Sequence, residues 1–142
     1  MAEYDDFHIT HAKNQLKISF QSTLENIDRA DKESRIFLQK NKLQSEMFSV
    51  CLCMREGLTN AVRHGHQHDV SKIIGYSLTR TGEQLIMEIE DEGDGFDWKR
   101  VEKIKPDFES DHGRGLVIIR EYFSTYTFNE KGNKLTLVKF LS

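Results

Sequence analysis

Long apolar runs, prolines, cysteines and any excess of basic charge are all scarce in this 142-residue chain, and each scarcity closes off a class of protein. The longest apolar runs, such as residues 116–119, fall far short of the roughly 20 residues that cross a bilayer. The opening MAEYDDFHITH carries neither a basic nor a hydrophobic targeting signal, so a soluble, cytoplasmic protein with no membrane partner is expected. Twenty Lys and Arg stand against 23 Asp and Glu, a net charge of -3, and nothing draws such a surface onto phosphate backbones. No nucleic-acid partner is expected. The only cysteines, Cys51 and Cys53, sit two apart in a helical pattern, where side chains diverge by about 200°. They are expected as reduced thiols packed like small hydrophobes, since this spacing matches no common zinc motif. Pro106 is the single proline, and no repeat or low-complexity run is present.

What the chain has is a globular balance, 37% hydrophobic and 30% charged, in a length that suits one domain. Residues 1–14 are expected as a flexible tail and 15–142 as the domain. Leu16, Ile18 and Phe20 alternate with polar residues and predict a strand. Ser22-Thr23-Leu24-Glu25 has the spacing of a capping box opening a helix. From 45 to about 64, Met47, Cys51, Met54, Leu58 and Val62 recur every three or four residues, the stripe of an amphipathic helix. Strands follow at 73–78 and 85–90, with Thr81-Gly82 as a hairpin turn. A short helix is expected around Trp98, Val101 and Ile104, then a polar loop at 105–112 and a helix at 115–123. Strands at 126–128 and 135–141 flank Lys131-Gly132-Asn133 as a terminal hairpin. The order predicts an α+β fold, a two-layer α/β sandwich with helices on one face of a mixed β-sheet.

Four of the nine glycines form two pairs, Gly93 with Gly95 and Gly113 with Gly115, at junctions between elements. Either pair could be a tight turn; glycine also lets the backbone approach a ligand closely. Asp91, where the strand 85–90 ends, could accept a hydrogen bond from an exocyclic amino group such as that of adenine, or belong to an acidic solvated turn. Glu56 and Asn60, four apart, share a helical face opposite the apolar stripe. Plain surface exposure explains that face. So does a site where Asn60 offers an oxygen to Mg²⁺ and Glu56 takes a proton nearby.

Three segments together are more specific. Glu56-Gly57-Leu58-Thr59-Asn60-Ala61-Val62-Arg63-His64-Gly65, Asp91-Glu92-Gly93-Asp94-Gly95-Phe96-Asp97 and Gly113-Arg114-Gly115-Leu116 resemble the N box and two glycine boxes of the gyrase, Hsp90, histidine-kinase and MutL superfamily. Within it the chain looks most like the anti-sigma-factor serine/threonine kinases of bacterial partner-switching systems. The resemblance runs from about Leu16 onward and implies a Bergerat-type ATP-binding fold with ATP and Mg²⁺ as cofactors. It implies Asn60 as Mg²⁺ ligand, Asp91 as acceptor for the adenine amino group, and Gly93 and Gly95 as the turn that admits the base. Gly113, Arg114, Gly115 and Leu116 would close the ATP lid and place phosphates at a helix N-terminus, with Arg114 a phosphate contact. Glu56 would be the catalytic base. Glu92 and Asp94 depart from the uncharged residues common in relatives and would weaken nucleotide binding unless both point outward; the lid is also short.

His64, His66, His68 and Asp69 form a cluster, but a loop run of this kind need not converge on a metal, and none is expected. The resemblance implies a kinase that phosphorylates an anti-sigma-factor antagonist, sequesters a sigma factor or other regulatory target, and forms homodimers. A non-catalytic nucleotide-dependent binding module is the alternative, against which Glu56 counts because binding needs no base. The ATP-binding half of a histidine kinase is weakened because no long helix bearing a histidine precedes the domain.

Overall fold

A computed structural model describes residues 7–65, 69, 71–93 and 111–141, and at 64, 65 and 111–116 it describes the backbone alone. Among these residues six strands form one sheet: β1 (Phe7–Ala12), β2 (Gln15–Gln21), β3 (Ile73–Thr81), β4 (Gln84–Glu90), β5 (Thr125–Phe128) and β6 (Lys134–Phe140). Their spatial order is β1-β2-β3-β4-β6-β5. Among the described residues three α-helices, α1 (Leu24–Lys40), α2 (Met47–Asn60) and α3 (Asp111–Tyr122), accompany the sheet.

Alternation along the strands decides which face is covered. Leu16, Ile18, Phe20, Ile74, Tyr76, Leu78, Leu85, Met87, Ile89, Leu135 and Leu137 all point one way and are buried in a single core with α1 and α2. The intervening positions carry Lys17, Ser19, Gly75, Glu88, Glu90 and Lys134, which border a shallow concavity of about 290 Å³ on the opposite face. The α+β sandwich expected from the sequence is therefore present.

Several particulars differ from expectation. Every pairing among the described residues is antiparallel, so the sheet is not mixed. The connection from β2 to β3 contains two helices, α1 and α2, which run down and back and return the chain antiparallel to the strand it left. β4 and β5 do share a direction, but β6 lies between them. Residues 7–12, expected within the flexible tail, form β1. Its inner face carries Phe7, whose ring stacks on Phe20 at 5.6 Å and lies 4.0 Å beneath the Arg29 guanidinium. Helix α1 is capped one residue later than the capping-box spacing suggests. Thr23 is the extended N-cap residue and accepts from Asn26 N at 3.1 Å, while Ser22 is pinned by its own N–H to Lys72 O at 2.9 Å. That bond draws Ser22 into the interior, away from the helix end.

The expected α2 stripe faces the core: Cys51, Met54, Leu58 and Val62 are buried, with Met47 packed at its edge. A π-helical turn, Ala61–Gly65, extends the helix past Asn60. The β3–β4 hairpin turns through Gly82 at φ 59° and the β5–β6 hairpin through Gly132 at φ 82°, conformations that favour glycine. Both cysteines are free and buried, and burial pushes each thiol up to about 12. At neutral pH they stay protonated and pack as the small hydrophobes expected from the sequence.

Candidate functional site

Two contacts fix how α2 lies over the sheet. At its start, the Lys139 ammonium of β6 meets Glu46 Oε2 at 2.6 Å and Ser49 Oγ at 2.7 Å. Near its end, Gly57 lies directly on the sheet: a Cβ there would collide with the terminal methyl of Ile89 and touch Leu135 at 3.8 Å. Lys139 pairs with Leu85 at the start of β4, whereas Ile89 is near its end. The helix thus runs along β4 in the same direction. Both elements end at one edge of the domain, α2 with Asn60 and β4 just before Asp91.

Glu56 and Asn60 flank Gly57 on α2 and are half-buried. Neither side chain hydrogen-bonds or ion-pairs with another described residue. On the same helix Arg55 is held by Asp28 at 2.9 Å and by Asp31 at 3.5 Å, both on α1. The donor set therefore suits a nucleotide and its cation: an amide oxygen and a carboxylate at a helix end, neither consumed by the described fold.

Asp91 sits in a tight, preset turn. Its Oδ1 accepts from Gly93 N at 2.7 Å, the short local bond that aspartate makes two residues ahead. Its main chain is tied to the β5–β6 hairpin, with Asp91 N donating to Asn133 O at 2.9 Å and Asn133 Nδ2 donating to Asp91 O at 2.8 Å. Gly93 is buried in this turn. Glu92, which the sequence leaves as a possible repulsive charge, is exposed and accepts from Ile73 N at the start of β3. It caps a strand.

The remaining expected positions divide by how far the structure describes them. Gly113, Arg114, Gly115 and Leu116 fall within the first turns of α3, which starts at Asp111 rather than at Gly115. The second glycine pair is thus inside the helix and not ahead of it, and its description ends at the backbone. Gly95, Asp94, the helix around Trp98, and 105–110 of the lid lie outside the described residues, as do His66 and His68. Asp69 Oδ1 accepts from Ser71 N at 3.0 Å and Ser71 Oγ at 2.7 Å, a local turn leading into β3. The structure brings Glu56, Asn60, Asp91 and Gly93 to one end of the domain. Asn133, which the sequence reading places only in the terminal hairpin turn, joins them; the run Asn129-Glu130-Lys131-Gly132-Asn133, turn formers at both ends, is the signal that could have marked it.

A family model described as "Histidine kinase-like ATPase domain" matches residues 20–139. Among curated proteins the chain is similar to the anti-sigma F factor of Clostridium perfringens, 23% identical over 135 residues that cover 89% of this chain and 96% of the relative. It is also similar to the anti-sigma F factor of Anoxybacillus flavithermus, 24% identical over 137 residues covering 91% and 92%.

Proposed function

Because the chain belongs to the histidine kinase-like ATPase domain family, we propose that it is an ATP- and Mg²⁺-dependent protein serine/threonine kinase acting as a partner-switching regulator. An ATPase-type domain implies ATP binding; the kinase, its cation and its partners are the proposal. The observation that carries it is that α2, bearing Glu56 and Asn60, and β4, leading to Asp91, end at the same edge of the domain, with neither α2 side chain engaged by another described residue.

In this reading Asp91 accepts a hydrogen bond from the adenine amino group and Gly93 lets the base approach. Asn60 offers its amide oxygen to Mg²⁺. Gly113, Arg114, Gly115 and Leu116, with Gly95 in the preceding loop, complete the nucleotide site, where the orphan N–H groups of α3 favour phosphate. Magnesium-bound ATP supplies the γ-phosphoryl group. Glu56 takes the proton of a serine or threonine hydroxyl on the acceptor protein. The acceptor is an anti-sigma-factor antagonist, and a sigma factor or similar regulator is the sequestered target, on the strength of the similarity to anti-sigma F factors. A homodimer is part of the same proposal. A cytoplasmic location is part of the proposal as well; no described helix is long and apolar enough to cross a membrane.

The test uses protein purified with its partners from the native host and radiolabelled ATP. Wild type transfers label to a serine or threonine of a co-purified protein, and Asn60→Ala loses both Mg²⁺-dependent nucleotide binding and transfer. ATP-dependent docking without transfer to any partner would make the protein a binding module instead.

A further inference from the structure

The β5–β6 hairpin ends in a small network of carboxamides. Asn129 Oδ1 accepts three successive main-chain N–H groups, from Gly132 at 2.8 Å, Asn133 at 3.0 Å and Lys134 at 3.1 Å. Its Nδ2 donates to Asn133 Oδ1 at 2.7 Å. One side chain thus folds the whole loop and orients the next carboxamide.

The consequence lies at the pair Asp91 and Asn133, one step beyond the last ladder pair, Glu90 with Lys134. In an antiparallel ladder two opposed residues of the hydrogen-bonded kind exchange both main-chain bonds. Asp91 N does donate to Asn133 O. The return bond is different: Asn133 N is taken by Asn129 Oδ1, and Asn133 Nδ2 donates to Asp91 O in its place. The turn is therefore fastened to β6 by a side chain. On its other flank Glu92 fastens the same turn to β3 through Ile73 N.

We propose that Asn129 and Asn133 are positioning residues for Asp91, holding its carboxylate so that it meets the 6-amino group of a purine without rearrangement of the turn. This rests on the reading of Asp91 as the base acceptor. Preorganisation of this kind raises affinity by removing the ordering cost from the binding step. It should act on base selectivity, because the phosphate and cation contacts come from other elements.

The test compares, by calorimetry, ADP with purine riboside diphosphate, which lacks the 6-amino group. The proteins are wild type, Asp91→Ala, Asn133→Ala, Asn129→Ala and, as a control on the same loop, Lys131→Ala. Loss of one positioning hydrogen bond is expected to lower the preference for ADP about fivefold. Asn133→Ala and Asn129→Ala should show that loss with the affinity for the analogue nearly unchanged, and Lys131→Ala should keep wild-type preference. Urea unfolding checks that each variant is folded; if Asn133→Ala is not, Asn133→Leu keeps the approximate size, adds no charge and removes the donor to Asp91 O. Wild-type preference in both asparagine variants, with Asp91→Ala impaired, would overturn the positioning role alone. Wild-type preference in Asp91→Ala would overturn the reading of Asp91 and the positioning role with it. Equal weakening for both nucleotides would show a merely structural part and overturn the proposal.

Discussion

Arg55 and Glu56 are consecutive on α2 and belong to two different kinds of surface. Arg55 faces the seam with α1, where polar groups find one another: it meets Asp28 and Asp31, and Arg35 Nε donates to Asp31 at 2.9 Å. Deeper in the seam the Ser34 hydroxyl lies 2.6 Å from Tyr76 Oη and donates to Ala30 O at 2.8 Å. Its single hydrogen is thereby used, so Tyr76 is the donor to Ser34. Burial also pushes the Tyr76 phenol up, which keeps it neutral. Glu56 lies about 100° round the helix from Arg55, on the side of Asn60, with no described partner for either. Folding accounts for most of the seam, although Asp31 Oδ1 is buried there without a hydrogen-bond partner among the described residues. It does not account for the Glu56 and Asn60 face, the one that the proposed function gives to a nucleotide and its cation.

The comparison can be sharpened by substitutions whose first expected effect is on stability. The largest effect is expected where α2 touches the sheet. Gly57→Val would drive a branched side chain into Ile89 and Leu135 and should cost about 3 kcal/mol in urea unfolding. Gly57→Ala should stay within about 1 kcal/mol, since its overlap is with one movable methyl and alanine favours a helix. Next comes the seam. Ser34→Ala leaves the buried Tyr76 hydroxyl without an acceptor and should cost about 1–3 kcal/mol. The double variant Ser34→Ala/Tyr76→Phe should be no less stable than Ser34→Ala, because both partners are gone. Smaller again is Arg55→Ala, which removes half-exposed ion pairs and should cost less than about 1 kcal/mol, with phosphoryl transfer unchanged.

The last effect vanishes at neutral pH and is confined to alkali. A thiol whose folded value is raised from near 9 to about 12 stabilises the fold fully below 9 and loses that contribution as pH climbs towards 12. The melting temperature should fall more steeply above pH 9 in wild type than in Cys51→Ala/Cys53→Ala. Parallel curves would show that the thiols are already exposed.

Local pattern made some of this legible in the sequence. The α2 stripe, the hairpin at Gly82 and the strand ending before Asp91 depend on side-chain period and glycine conformation, which act over a few residues. The antiparallel return from β2 to β3 is a property of the number of helices in the connection, and it was open to reading from the same order of elements. β1 was obscured because its strand is short and carries His8 and His11 among its residues; Phe7 declares itself only against Phe20 and Arg29. The capping register turned on Ser22 N bonding to Lys72, 50 residues away in sequence. At the candidate site, Asp91 and the Glu56 and Asn60 face were visible through motif and spacing, whereas Asn133 reaches Asp91 across 42 residues and has no local signature of that contact.

The most direct measurement of the central claim is the rate of phosphoryl transfer by Glu56→Gln to the co-purified acceptor, taken together with its affinity for ATP. A placed base contributes about 10²–10⁴-fold to rate, and ATP affinity comes from contacts that Glu56 need not make. The account predicts a rate lowered by that factor with ATP affinity and partner docking kept. Transfer at the wild-type rate would contradict it, leaving the unpartnered face of α2 without its assigned base.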